Sequence, residues 1–260
     1  MATGQAGRAK TFALVLVATG ALAAAPLLAG DAEIHQRIET RLAKAGLHEN
    51  ADIRVEVEGG VARLTGVALS LPDAREAEKA ARKEAKAVIN LVRVFTEERT
   101  DPSIRSGVER AIVGYSRYGV FDAVGADVEK GAVVLRGWVL NPWHRDEIEV
   151  RVARVPGVRE LRNEIRVQSV SPHDARLRFD LYRRIYGDIR FERYADWPNP
   201  PIRIIVDRGR VTLAGMVGSK VEQAILGSIA RGTFAFAVDN QVRVEGEVEK
   251  EPARSRSVQG

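Results

Sequence analysis

Apolar residues recur along the chain with two periods, and the two periods alternate in the same order three times. The first period is four. Ile34, Ile38 and Leu42 form one series, Ile104, Val108 and Ile112 a second, and Leu177, Leu181 and Ile185 a third. Such a series lays one apolar stripe along a helix. Each opens with an aspartate, Asp31, Asp101 or Asp174, placed to cap the free amides of the first turn, and Pro102 suits a first helical position. The second period is two. Ile53, Val55 and Val57 alternate with Arg54, Glu56 and Glu58; Val124, Ala126 and Val128 follow the same rule, as do Ile202, Ile204 and Val206. Strict alternation predicts a half-buried strand.

Each strand runs into a turn, Gly59-Gly60, Lys130-Gly131 or Arg208-Gly209, suited to a tight hairpin. A second strand closes on Gly66, Gly137 or Gly215, on the inward face, where a side chain would collide with a helix or the chain bends. Four residues on stand Ser70, Asn141 and Ser219, helix caps by type and position. The second helices then end near Glu84, Val155 and Arg231, and a third strand carries Asn90, Asn163 or Asn240. From closing glycine to asparagine is 24, 26 and 25 residues, a true internal repeat. The expected fold is α+β: three tandem αββαβ units, each a three-stranded sheet with two helices on one face. The units span 31–97, 101–168 and 173–245.

Outside the repeat, residues 1–30 read as a signal peptide or N-terminal anchor. Arg8 and Lys10 precede an uncharged run from Thr11 to Ala29. Gly20, Pro26 and the alanines make a weak membrane span and favour cleavage, so the body of the chain is expected in the periplasm. An uncleaved inner-membrane anchor is the alternative. Residues 246–260 are charged, lack aromatics and are expected to be a disordered tail. Two inserts break the repeat. Tyr115 to Phe121 is aromatic, and Arg190 to Pro201 is expected as an extended surface loop because of its prolines.

Charge alters this picture little. The formal net charge is +5, and the third unit carries 12 basic against 9 acidic groups. That excess is too mild for a nucleic-acid protein. There is no cysteine, hence no disulfide and no thiolate metal site. No nucleophile elbow, phosphate loop or dinucleotide fingerprint appears, so no catalytic residue is assigned. His35, His48, His144 and His173 lack a second ligand at helical spacing and are expected to be solvated or capping, with no metal. Neither a cofactor nor a small-molecule substrate is expected. The oligomeric state is not encoded in any recognisable pattern.

The αββαβ order, the G-x-(V/A)-x-L-x-G hairpin in all three copies and the closing Asn-x-(V/I)-x-V strand resemble the BON domain, a family named for osmotically induced periplasmic and nodulation proteins. The resemblance covers most of residues 31–245. Gly157-Val158 matches a further feature of the family, which Ala85 and Ala235 depart from. It implies a non-enzymatic envelope protein that binds phospholipid surfaces or maintains the envelope. Its partners would be an anionic phospholipid membrane surface or other envelope proteins. The alternative is a soluble periplasmic osmotic-stress protein, a chaperone-like binder of exposed apolar segments.

Two lipid-contact candidates follow from residue type. Trp143 and Arg145 stand at the start of the second unit's second helix, where a ring can enter the headgroup zone beside a cation and free helix amides. The competing reading packs Trp143 on its own unit. Tyr194 and Trp197, in the third unit's insert, are the second candidate. Asn90, Asn163 and Asn240 are expected to satisfy backbone groups at the strand start rather than to form a site. Arg93, Arg166 and Arg243 are expected to pair across strands with Glu56, Asp127 and Asp207.

Overall fold

A computed structural model describes residues 29–47, 51–197 and 199–246. Residues 1–28, where a signal peptide or anchor is expected, His48, and residues 247–260, expected as a disordered tail, lie outside the described residues. The first unit comprises α1 (Ala29–Lys44), β1 (Ala51–Glu58), β2 (Val61–Ala68), α2 (Leu71–Arg82), β3 (Ala87–Asn90) and β4 (Arg93–Val94). The second comprises α3 (Asp101–Val113), β5 (Ala123–Glu129), β6 (Ala132–Val139), α4 (Pro142–Ala153) and β7 (Glu160–Val167). The third comprises α5 (Pro172–Tyr186), α6 (Glu192–Ala195), β8 (Ile202–Asp207), β9 (Arg210–Val217), α7 (Lys220–Arg231), β10 (Ala237–Asn240) and β11 (Arg243–Val244).

In each unit the hairpin pairs antiparallel and the last strand returns parallel to the hairpin's second strand, as a crossover helix requires. In the first and third units that last strand is interrupted after the asparagine, so β3 and β4, like β10 and β11, resume in one register. One apolar core fills each unit between sheet and helices. Ile38, Leu42 and Leu64 anchor the first, Ile104, Leu135 and Ile148 the second, and Leu181, Ile204 and Leu213 the third. Burying each such side chain contributes about 1.5–3 kcal/mol.

The repeated aspartates do not cap their own helices. Asp31 accepts the amides of Gly59 and Gly60, both at 2.8 Å. Asp101 accepts those of Lys130 and Gly131, and Asp174 those of Arg208 and Gly209. Each carboxylate thus ties a first helix to its hairpin turn, and Ser171 caps α5 instead, accepting from the Asp174 amide. Gly66, Gly137 and Gly215 hold φ of +108°, +124° and +107°. A Cβ there would meet the carbonyl oxygen of Asp52, Ala123 or Pro201 at 1.8–2.0 Å, so the first strand, not a helix, excludes a side chain.

The third unit's insert is not a surface loop. Phe191 is fully buried, Tyr194 nearly so, and the short α6 carries them into the core. Pro200 and Pro201 follow this helix and lead into β8.

The units join through side chains that leave their own cores. Leu71 and Val94 of the first unit pack into the second unit's core, and Arg75 donates to Glu149 and to the carbonyl of Leu161. From the second unit, Val120 and Phe121 pack on the third core, and the Ile204 amide donates to the Val120 carbonyl at 2.8 Å. Arg203, buried, donates to the Gly119 carbonyl and lies 4.8 Å above the Tyr118 ring.

Candidate functional site

The start of α4 is built outward from a buried pair. Asp122 accepts the amides of Gly119 and Leu140, and its two oxygens lie 3.0 and 3.2 Å from His144 Nδ1. Both residues are buried, with Tyr115 edge-on to the imidazole. His144 is therefore neither solvated nor a cap, a correction its spacing gave no means to foresee, because Asp122 lies 22 residues away. With His144 turned in, the preceding Trp143 is turned out and is 53% exposed. Arg145 lies beside it, but its Nε donates to Asp146 at 2.9 Å, so this spot carries little net charge. Asn141 stands at the N-cap without a side-chain capping bond.

The other sequence candidates separate. Tyr194 is excluded as a lipid contact. It is buried, its hydroxyl donates to Glu222, and that oxygen accepts from Gly218 and Arg193. Trp197 is exposed, its ring 6.5 Å from that of Tyr194, on a groove of about 760 Å³ shared with Pro201, Met216 and Glu245. The asparagines clasp the last strand to the second helix. Their Oδ1 atoms accept the amides of Val92, Ile165 and Val242, while Nδ2 donates to Glu78, to Glu149 and the Arg145 carbonyl, and to the Gln223 carbonyl. The Asn90 bond, with Arg82, holds the Glu78 carboxyl below the usual range.

The expected arginine pairs do not form, because the middle strand separates the two outer strands. Asp127 pairs with Arg136 on the adjacent β6, and the Arg166 guanidinium lies 5.5 Å over Trp138. Asp207 accepts the amide of Ser169.

A surface that residue type alone did not single out lies at the third unit's hairpin turn. In the first two units the turn glycine, Gly60 or Gly131, is covered by the aliphatic stem of Lys86 or Arg159. At the same place in the third unit the ring of Phe236 covers Gly209 and stacks on His173 at 5.4 Å. Phe236 is 79% exposed and Phe234 90%. Arg208 and Arg210 flank Gly209, and among the described residues no carboxylate pairs with either guanidinium. The signal was present in the repeat: position 236 is cationic in the other two copies.

Among the described residues there is no cluster that could hold a metal ion and no helix long and apolar enough to cross a membrane.

A BON domain model matches residues 30–95, 100–169 and 184–246. The chain belongs to the BON domain family. BON proteins are periplasmic or envelope-associated, are in general binding proteins rather than enzymes, and as a family bind membrane phospholipids. No curated protein matches the chain. Among solved structures it is similar to the C-terminal domain of CdsD, a structural protein of the type III secretion system of Chlamydia trachomatis. That match has 12% identity and a TM-score of 0.25 and covers 80% of this chain and 96% of that one. A second CdsD structure matches at 14% identity and TM-score 0.23, over 86% and 99%. At these scores the similarity does not bear on what this BON protein binds.

Proposed function

We propose that this BON protein is a non-enzymatic periplasmic adaptor that docks on anionic phospholipid surfaces. The observation that carries the reading is the hairpin turn of the third unit, where two phenylalanines stand in solvent beside two arginines without carboxylate partners. Rings exposed to this degree gain by entering a bilayer interface, and each nearby cation adds about 1 kcal/mol at an anionic surface. Trp143 supplies a second exposed ring, with its cation Arg145 already held by Asp146. That division supports Phe234, Phe236, Arg208 and Arg210 as the main contact and Trp143 as an auxiliary one.

Co-sedimentation with phosphatidylglycerol-containing and purely phosphatidylcholine vesicles tests this. The expected result is binding to the anionic vesicles, weakened by salt, and reduced at least tenfold in Phe234→Ser/Phe236→Ser. Trp143→Ala is expected to weaken binding less. Suppression of client-protein aggregation with no vesicle binding at low salt would replace this reading with the chaperone-like one.

A further inference from the structure

The residue that covers each hairpin turn is anchored the same way in all three copies. Lys86 donates its amide to the Gly60 carbonyl at 2.9 Å, Arg159 to that of Gly131 at 2.9 Å, and Phe236 to that of Gly209 at 2.8 Å. In the first two units the covering side chain is a cation whose charge is constant across the ordinary pH range. In the third it is a neutral ring, and a second ring lies on it. The imidazole of His173, in the first turn of α5, stacks on Phe236 with centroids 5.4 Å apart and planes 19° from parallel. Both side chains are exposed. The residues matching His173 are Thr100 in the second unit and Gly30 in the first, so the stack exists in the third copy alone. Histidine is the side chain whose charge changes between about pH 5 and 8. A place held by a permanent cation in two copies is held here by a pair that becomes cationic only in acid.

The charged groups on the elements around the imidazole act in both directions. Asp174 and Arg176 share its helix, Asp207, Arg208 and Arg210 stand at the β8–β9 turn, and the segment 233–237 carries no charge. Asp174 is committed to the turn amides and the Ser169 hydroxyl, and Asp207 accepts the Ser169 amide. Arg231, at the end of α7, turns back along that helix to Gly227. Arg208 and Arg210, without carboxylate partners among the described residues, oppose a further positive charge until phosphates arrive beside them. An anionic surface at this turn therefore favours the protonated imidazole, and the protonated imidazole favours the surface. The two equilibria are linked.

We infer that His173 makes docking on anionic phospholipid respond to acid, the stacked imidazole taking a proton from solvent as the surface is bound. The inference rests on the lipid-docking reading and adds its regulation. Protonation sets a cation against the face of the Phe236 ring, which favours the stack. It also adds one positive charge to those of Arg208 and Arg210 at the point of contact.

Co-sedimentation of the whole protein with vesicles of mixed phosphatidylglycerol and phosphatidylcholine, at about pH 7.5 and about pH 5.5, tests this. The lipid phosphodiester stays ionised at both. One cation gained at an anionic surface strengthens binding about fivefold, so the wild type is expected to bind about fivefold tighter at the lower pH. His173→Gln, which cannot gain the charge, and His173→Lys, which never loses it, are both expected to bind within about twofold at the two pH values. His35→Gln, on the first unit, is expected to keep the wild-type ratio. Thermal melting by circular dichroism checks that each variant is folded. Wild-type binding that does not change with pH, or the full ratio surviving in both His173 variants, overturns the switch and leaves the lipid-docking reading standing. No vesicle binding at either pH overturns that reading and the switch with it.

Discussion

The carboxylate of Asp174 accepts the amide hydrogen of Gly209 at 2.7 Å, joining the first turn of α5 to a hairpin turn 35 positions along the chain. It also accepts the amide of Arg208, at 2.8 Å, and the hydroxyl of Ser169. Two turn amides and a hydroxyl therefore depend on one side chain. Asp174→Ala is expected to destabilise the third unit by about 2–3 kcal/mol. Asp174→Asn, which keeps one acceptor, should lose less. Urea unfolding followed by circular dichroism gives both values.

The same carboxylate makes stability depend on acid. Burial pushes the Asp174 pKa up, but the bonds from Ser169, Gly209 and Arg208 together outweigh it and hold the value below the usual range. A pKa depressed in the folded state contributes stability that is fully present above the unfolded value, about 3.9, and is lost as pH falls through the folded one. The difference in stability between wild type and Asp174→Asn should therefore be constant above about pH 5 and shrink below pH 4. A difference that does not shrink there would show that the charge on Asp174 is not what stabilises the turn.

Glycine at the end of each hairpin is a second dependence. Gly137 has φ +124°, and a Cβ would stand 2.0 Å from the Ala123 carbonyl oxygen. Gly137→Ala should cost at least about 2 kcal/mol, since both the conformation and the contact are unfavourable. Gly125, in the paired strand, has nothing within 4 Å of its Cβ position. Gly125→Ala should be near neutral, and comparing the two melting temperatures isolates the effect.

The architecture was legible because its signals are local. Alternation in Ile53 to Val57, a four-residue period in Ile104 to Ile112, and Ser70 or Ser219 before a helix each act within a few residues. The roles of Asp31, Asp101 and Asp174 were misread because a capping aspartate and a turn-binding aspartate look alike until the chain folds back. Tyr194 was misread for a related reason. Prolines argue for a loop, but Phe191 and Tyr194 bury enough surface to draw that loop into the core. Phe236 became legible only when its copies, Lys86 and Arg159, were known to touch the same turn glycine. Which residues meet across unit boundaries has no local sequence signal.

The buried pair at the base of α4 gives another prediction. Asp122 accepts two amides and faces His144, all within the second unit's interior. Asp122→Ala leaves those donors without an acceptor and should cost about 3 kcal/mol. It also releases the helix start, so Trp143 emission and its quenching by iodide should change together with stability.

The joint between the second and third units is a further test. Arg203 donates to the Gly119 carbonyl and to Asn199, and covers Tyr118. Arg203→Ala should uncouple the two units. Scanning calorimetry should then resolve a separate, lower-melting transition for the third unit. A single transition at the wild-type temperature would mean the joint contributes nothing.

β8 is apolar on both of its faces, with only Asp207 and the buried Arg203 to interrupt it. Left bare, such an edge invites pairing between chains. Its cover, Gly119 to Phe121, precedes it by 84 residues when Gly119 and Arg203 are counted. Chains fold from the N-terminus as they are made, so the shield is in place before the strand it protects emerges. Reversing the order of these two units by circular permutation would deliver the sticky strand first. The order of units along the chain is therefore itself a safeguard against misassembly during biogenesis.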